Sequence, residues 1–315
     1  MPQWTNPDAP PVHIALLIFD QFSNLCLANC LEPLRAANTL NRSPIFSWQI
    51  LTHDGGAALS SSAMQVLPQA GLSDLAPCDY LFVLSSYGHE HHDTPDMRRA
   101  LRQASAKARI IVGMDTAPWL LASAGLLEGR RATVHWDLMD GFMERFLQIE
   151  AERSRLVRDG RVITCAGAMS ALDMTLGLIA DHAGLAARLD VEALFMQGDP
   201  PVDAIHERGT VTDPTVRRAL ALMRENLEKP LSLLELSRLL SCQSRTLDRR
   251  FRNRLGAPPG TVYRHLRLSS ARKMLEGSTL SVAEIALRNG YESPAAMARA
   301  MKRYYGVTPS SLRLG

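Results

Sequence analysis

A supersecondary unit written twice at a fixed spacing leaves a chain little choice of fold, and the C-terminal third of this 315-residue sequence contains such a pair. Leu231-Ser232-Leu233-Leu234-Glu235-Leu236-Ser237 recurs as Leu280-Ser281-Val282-Ala283-Glu284-Ile285-Ala286 at an offset of 49. Leu247, Phe251, Gly256 and Pro259 recur as Met297, Met301, Gly306 and Pro309 at an offset of 50. Each copy opens on Ser-x-x-Glu, a capping box in which hydroxyl and carboxylate satisfy the free backbone donors of a helix start. A short helix follows, then a tight turn (Leu240-Ser241-Cys242-Gln243 or Asn289-Gly290-Tyr291-Glu292), then a second cap at Ser244 or Ser293 and a longer helix. That order predicts two helix-turn-helix units, whose second helices enter the DNA major groove.

The charge is divided in the same way. Residues 212–315 hold 19 Lys and Arg against 8 Asp and Glu, a net +11, whereas the remainder of the chain is −8. Clustered cations suit phosphate neutralisation, although a solvated basic face gives the same count, so the spacing has to decide. In the first longer helix Leu247, Phe251 and Leu255 form a buried stripe. Arg245, Thr246, Arg249, Arg250 and Arg252 are left outward beside Ser244, as base or phosphate contacts demand. In the second, Met297, Met301 and Tyr304 are the stripe. Arg299, Lys302 and Arg303 remain for DNA, with Ser293 and Ala295 at the helix start, but Ala295, Ala296 and Ala298 offer little hydrogen bonding. The first unit is expected to read bases and the second mainly to grip the backbone.

Val262, Leu266, Ser269/Ser270 and Met274 predict a helix from Thr261 to Leu275, a stiff rod between the units. It would set two recognition helices in successive grooves, about 34 Å apart. Residues 214–228 predict a further amphipathic helix, with Val216, Leu220, Met223 and Leu227 on its stripe and a start at Asp213-Pro214.

These residues resemble the AraC/XylS family of bacterial regulators. Arg267-Leu268, Ala271-Arg272 and Leu275 look like that family's linker helix. Ile285-Ala286, Gly290-Tyr291-Glu292-Ser293 and Tyr305-Gly306-Val307-Thr308-Pro309-Ser310 resemble its signature. The resemblance covers about residues 212–314 and departs from the pattern at Ala295-Ala296-Met297, where the family carries a polar residue, histidine and phenylalanine. It implies double-stranded DNA as the partner, at a promoter or operator, with RNA polymerase as a further candidate partner.

The front of the chain alternates. Val12 to Phe19 is a continuous apolar run read as a buried strand, and Leu25, Leu31, Leu34 and Ala37 follow at helical spacing. Strands are expected near Phe46–Leu51, Tyr80–Leu84 and Arg109–Met114, and helices over Asp96–Lys107 and Thr116–Ala124. The fold class is therefore α/β: a flavodoxin-like parallel sheet covered on both faces, followed by an all-α domain with two helix-turn-helix units. Ligands on such sheets sit beyond the carboxyl ends of the strands.

Ile110-Ile111-Val112-Gly113-Met114-Asp115-Thr116-Ala117-Pro118-Trp119 runs from strand straight into helix, with Asp115 at the turn. This resembles the nucleophile elbow of the glutamine-amidotransferase-like superfamily and its PfpI-type proteases, which carry a cysteine there. Leu121-Ala122, Ala124-Gly125-Leu126-Leu127, Gly129, Thr133 and His135-Trp136 extend the match. Aspartate is a poor acyl-transfer nucleophile, and Ser23-Asn24-Leu25-Cys26 lacks the partner acid, so the hydrolase chemistry is expected to be lost and no catalytic residue is assigned.

The joined architecture resembles the GlxA-type regulators, with Phe22-Ser23-Asn24, Glu32-Pro33-Leu34-Arg35-Ala36-Ala37-Asn38 and Thr164-Cys165-Ala166-Gly167 agreeing. Members respond to small metabolites, among them quaternary ammonium compounds and amino acids, and the resemblance implies an activator that pairs with itself as a homodimer. Candidate effector residues are Phe22, Tyr87, Asp115, Thr116, Trp119, His135 and Trp136, since an aspartate beside aromatic faces suits a cation. The alternative, equally open, is that Asp115 caps the helix beginning at Thr116 and the aromatics are core.

No cofactor and no metal are expected. His89-Glu90-His91-His92 reads as a polar loop before the helix start at Thr94-Pro95 rather than as a metal site. Cys26 and Cys30 read as core, and Cys165, with His135 as base, is the one cysteine to suspect as a nucleophile. An odd, scattered set of five cysteines, no leader-like start and no long apolar run point to the cytoplasm and not to a membrane. The domains are expected at 10–199 and 213–315, joined by a linker at 200–212. The competing classes are a PfpI-type hydrolase or amidase with a DNA-binding appendage, and an architectural DNA binder without a ligand.

Overall fold

A computed structural model describes residues 10–41, 44–195 and 213–313. The chain divides into two compact units at Leu194–Phe195. The expected linker, 200–212, lies outside the described residues.

The first unit is an open sheet of seven strands in the order β10-β11-β7-β6-β1-β2-β5. Its strands are β1 (Val12–Ile18), β2 (Phe46–Thr52), β5 (Ala70–Gly71), β6 (Cys78–Ser85), β7 (Ala108–Asp115), β10 (Leu156–Asp159) and β11 (Val162–Cys165). The short strands β3 (Ala58–Leu59) and β4 (Gln65–Val66) form a separate hairpin, and β8 (Arg131–Ala132) pairs with β9 (Glu150–Ala151). All pairings in the main sheet are parallel except β10 with β11, an antiparallel edge that the expectation of a parallel sheet did not include.

The apolar run of β1 is buried on both faces because helices cover both. Ala15 and Leu17 pack with residues of α3 (Pro95–Lys107), α4 (Ala117–Ser123) and α5 (Met139–Arg145). Ile14, Leu16 and Ile18 pack with α1 (Asn24–Leu40) and α6 (Ala168–Phe195). The two-residue alternation of a strand thus sends successive side chains into two separate cores. Helix α1 starts where the Ser23 side chain accepts from the Cys26 N–H at 3.3 Å. Helix α6 is broken into two segments by Gly184 (φ 85°, ψ 163°). His89–His92 is one turn of helix, α2, and not a loop; His89 is buried against the Trp119 ring at 5.4 Å.

In the second unit α7 (Pro214–Glu225) precedes α8 (Leu233–Leu239) and α9 (Ser244–Leu255). The long α10 (Pro259–Gly277) then leads to α11 (Val282–Arg288), α12 (Pro294–Tyr305) and α13 (Pro309–Arg313). Helix α10 is the expected rod, and the Tyr263 hydroxyl fixes its start by donating to the Asn226 carbonyl at 2.6 Å and accepting from the Leu231 N–H at 3.2 Å. Leu268, Ala271 and Leu275 of α10 share a core with Ile285, Ala286, Met297 and Met301.

Candidate nucleic-acid interface and sensor site

The repeat in sequence is a repeat in geometry. Both capping boxes close: Glu235 N–H donates to Ser232 Oγ at 3.2 Å while Ser232 N–H donates to Glu235 Oε2 at 2.7 Å. The same pair at Ser281 and Glu284 measures 3.1 and 2.9 Å. The turns match as well, with Ser241 at φ 51° and Gly290 at φ 67°. Recognition helices α9 and α12 have 12 residues each and end on left-handed Gly256 and Gly306. Leu247, Phe251 and Leu255 are buried, as are Met297 and Met301. The opposite faces are open, as a major-groove reader requires.

Partnering sorts the basic residues. Arg245, Arg249, Arg299, Lys302 and Arg303 are exposed and have no ion pair among the described residues. Arg250, expected to face DNA, is instead half-buried, with Nη1 donating to Asp213 Oδ1 at 3.1 Å and to Thr215 Oγ1 at 2.8 Å. Burial works against the charge of Asp213. Hydrogen bonds from the Val216 and Thr215 N–H groups and from Arg250 outweigh it and hold the carboxyl below its usual range. Arg250 therefore ties α9 to the cap of α7. Arg252 pairs with Asp248 at 2.7 Å.

Ser244 is not the cap expected of it. Gln243 stands at the N-cap without a side-chain bond, and Ser244 accepts from the Ser237 hydroxyl at 3.0 Å, joining α8 to α9. Ser293 does cap α12, accepting from Ala296 N–H at 3.2 Å. Thr246 is half-buried at the start of α9, and Ala295 lies exposed at the start of α12 with only a methyl to offer.

In the first unit β7 ends in a true elbow: Asp115 has φ 62° in the left-handed region, a conformation aspartate tolerates better than most residues. Gly113 lets α4 pack close on β7: a Cβ there would meet Leu121 Cδ1 at 2.7 Å and the Pro118 ring and nitrogen at 3.3 Å. The Asp115 carboxyl is buried. Desolvation raises its pKa, opposed by the nearby His135 and by the Ser86 hydroxyl. The backbone is fastened by His135 N–H donating to the Asp115 carbonyl at 2.9 Å, and the Thr116 hydroxyl donates to the Ser86 carbonyl at 2.8 Å. Helix α4 has Thr116 at its N-cap and no side-chain cap bond, so capping does not account for Asp115.

Asp115, Thr116 and His135 thus come together, with Trp136 beside His135 at 5.5 Å and 73% exposed. The other aromatic candidates differ in their surroundings. Phe22 is fully buried, and Tyr87 is 69% exposed. Trp119 is packed against His89, Phe142 and Phe146 with Arg145 over its ring. Cys165 is wholly buried, and desolvation lifts its thiol well above the usual range, which removes the thiolate that a nucleophile needs.

A cleft of 320 Å³ at the carboxyl ends of β1 and β2 has a polar lining that includes Asp20, His53 and Asp54, which the expected set lacked, together with His91 and His92. It adjoins the place where the strand order reverses about β1, where open α/β sheets hold ligands. The residues directly after each strand were the signal for it.

A doubly wound sensor-type sheet followed by paired helix-turn-helix units defines a DNA-binding transcription regulator. The DJ-1/PfpI family model matches residues 12–181, and a helix-turn-helix domain model matches residues 236–314. The chain belongs to the family of HTH-type transcriptional regulators that join a DJ-1/PfpI domain to an AraC-type DNA-binding domain. It is 33% identical over 303 residues to the HTH-type transcriptional regulator CdhR of Pseudomonas aeruginosa, covering 94% of this chain and 90% of that one. It is likewise 33% identical over 311 residues to the regulator GlxA of Rhizobium meliloti, covering 95% of each. An isonitrile hydratase of Pseudomonas putida is 28% identical over 198 residues, 61% of this chain and 82% of the enzyme. A THiJ/PfpI family protein from Pseudomonas syringae shares the fold at a TM-score of 0.54 and 22% identity, over 70% of this chain and 89% of that one.

Proposed function

We propose that the protein is an effector-controlled activator whose first helix-turn-helix unit reads bases through Arg245, Thr246 and Arg249, while Arg299, Lys302 and Arg303 of the second hold phosphates. The observation that carries this reading is the unpaired state of these cations among the described residues, against Arg250 and Arg252, which are engaged within the protein. Cations kept free on the open face of a recognition helix cost stability by mutual repulsion unless an anion meets them.

The effector is a small metabolite, a quaternary amine or an amino acid, bound at the carboxyl edge of the sheet, with Asp115, Thr116, His135 and Trp136 as its contacts. Its binding shifts the population between two arrangements of the DNA-binding domains in a cytoplasmic homodimer, which requires different affinity for each. RNA polymerase is the partner that an activator needs.

An aspartate at the elbow and a buried Cys165 disfavour the hydratase or hydrolase reading. Calorimetric titration of betaine-like cations and amino acids into the full chain and into Asp115→Asn tests the effector site. A ligand found for the unmodified protein is expected to lose at least tenfold in affinity in the variant. Unchanged affinity would move the site away from the elbow.

A further inference from the structure

At the offset of 50 that relates the two recognition helices, Arg250 of α9 corresponds to Ala300 of α12, and Pro214 at the start of α7 corresponds to Arg264 on α10. The two places have opposite character. In the first unit the junction of α7 with α9 is closed by Arg250 on Asp213 and Thr215. In the second the arginine has become alanine, Asp213 is replaced by Tyr263, and a guanidinium, that of Arg264, follows it. The junction of α10 with α12 is consequently left as a groove of 370 Å³.

Leu268, Ala296 and Ala300 supply its apolar surface, and Arg264, Arg299 and Arg303 its charge; no carboxylate lines it. Arg264, Arg299 and Arg303 are exposed and have no ion pair among the described residues. Elsewhere on α10 the arginines are occupied: Arg267 Nε donates to the Asn289 carbonyl at 2.6 Å and Arg272 pairs with Glu276 at 2.7 Å. Three convergent cations beside a recognition helix, with small side chains that let an approaching strand come close, match the chemistry of a DNA phosphate.

We propose that this groove is a seat for the DNA backbone at the flank of the second recognition helix, and that Arg264 of the linker helix is a DNA-contacting residue. The inference rests on the DNA-binding reading above and extends it to a helix outside either helix-turn-helix. It gives the alanine-rich α12 a means of holding DNA without hydrogen-bonding to bases.

The test uses the full-length protein on a bound promoter fragment and on unrelated DNA of equal length, with Kd measured over a range of salt. Arg264→Gln is expected to weaken both several-fold and to lower the slope of log Kd against log salt by about one. Arg272→Gln, on the same helix, is expected to leave the slope unchanged. Far-UV circular dichroism verifies that both variants fold. If the unmodified protein binds and Arg264→Gln keeps its slope, the groove has another occupant and this inference falls alone. If the unmodified protein binds no DNA at any salt, the DNA-binding reading falls and takes the inference with it.

Discussion

Gly290 closes the turn of the second helix-turn-helix unit at φ +67°, and a Cβ there would lie 2.7 Å from the Leu227 carbonyl oxygen and 2.7 Å from Cγ and Cδ of Pro230. Its counterpart one repeat earlier is Ser241, at φ 51°. From the repeat alone, a side chain at 290 looks admissible; the packing says otherwise. An L-residue in the left-handed region costs about 1–2 kcal/mol, and forcing a methyl against backbone and a rigid ring adds about 1–3 kcal/mol. Gly290→Ala is therefore expected to destabilise the second unit by about 3 kcal/mol. Ser241→Gly relieves the first of these strains but loosens the unfolded chain by about 0.4–1 kcal/mol, so its net effect is small. The assay can separate the units, because all four tryptophans, Trp4, Trp48, Trp119 and Trp136, lie in the front half of the sequence. Urea unfolding followed by tryptophan fluorescence reports the sensor unit, and far-UV circular dichroism adds the helical one. Gly290→Ala should shift the helical transition by about 1 M urea or more and leave the fluorescence transition in place. A shift of under about 0.3 M in both would refute the steric reasoning.

Arg250→Ala should cost about 1–2 kcal/mol of stability in the same assay by removing the charged partner of the half-buried Asp213 cap. Arg245→Ala should leave stability within about 0.5 kcal/mol while losing about 1–3 kcal/mol of binding at the cognate site. Asp115 has its pKa raised by burial, so the folded state disfavours its charge at every pH above the unfolded carboxylate's pKa of about 3.9. Asp115→Asn, which also tolerates positive φ, should thus raise the melting temperature at pH 7, and the gain should vanish as the pH falls through the raised pKa towards 4. A gain that persists at pH 3 would contradict the desolvation argument. Of the five cysteines only Cys242 is partly exposed, so a thiol reagent should modify it quickly and reach Cys26, Cys30, Cys78 and Cys165 only on unfolding.

What the sequence reveals here is what local chemistry decides. Ser232 with Glu235, Ser281 with Glu284, and the glycines at 256 and 306 act within a few residues of themselves, so both helix-turn-helix units and the rod between them follow from spacing. The elbow is similar: Gly113, Asp115 and Pro118 specify a strand entering a helix. Long-range pairing is less visible. Arg250 looks outward on a helical wheel, yet its partner Asp213 lies 37 residues earlier. Trp119 and Trp136 read alike in sequence, but α5 covers one and leaves the other in solvent. The cleft near Asp20 gathers segments from Ile18 to Met97, and the edge strand β10 depends on pairing with β11, so neither shows as a periodicity. Ala300 and Arg264 gain meaning only with the groove between α10 and α12 that both of them line.

The central claim, a regulator that reads DNA under the control of a small ligand, is tested most directly by recovering genomic fragments bound to the purified full chain at two salt concentrations, with and without a pooled metabolite set. The account predicts a small set of fragments that survives the higher salt, and a change in their recovery with one metabolite pool. Recovery without selectivity, or no recovery at either salt, would contradict it.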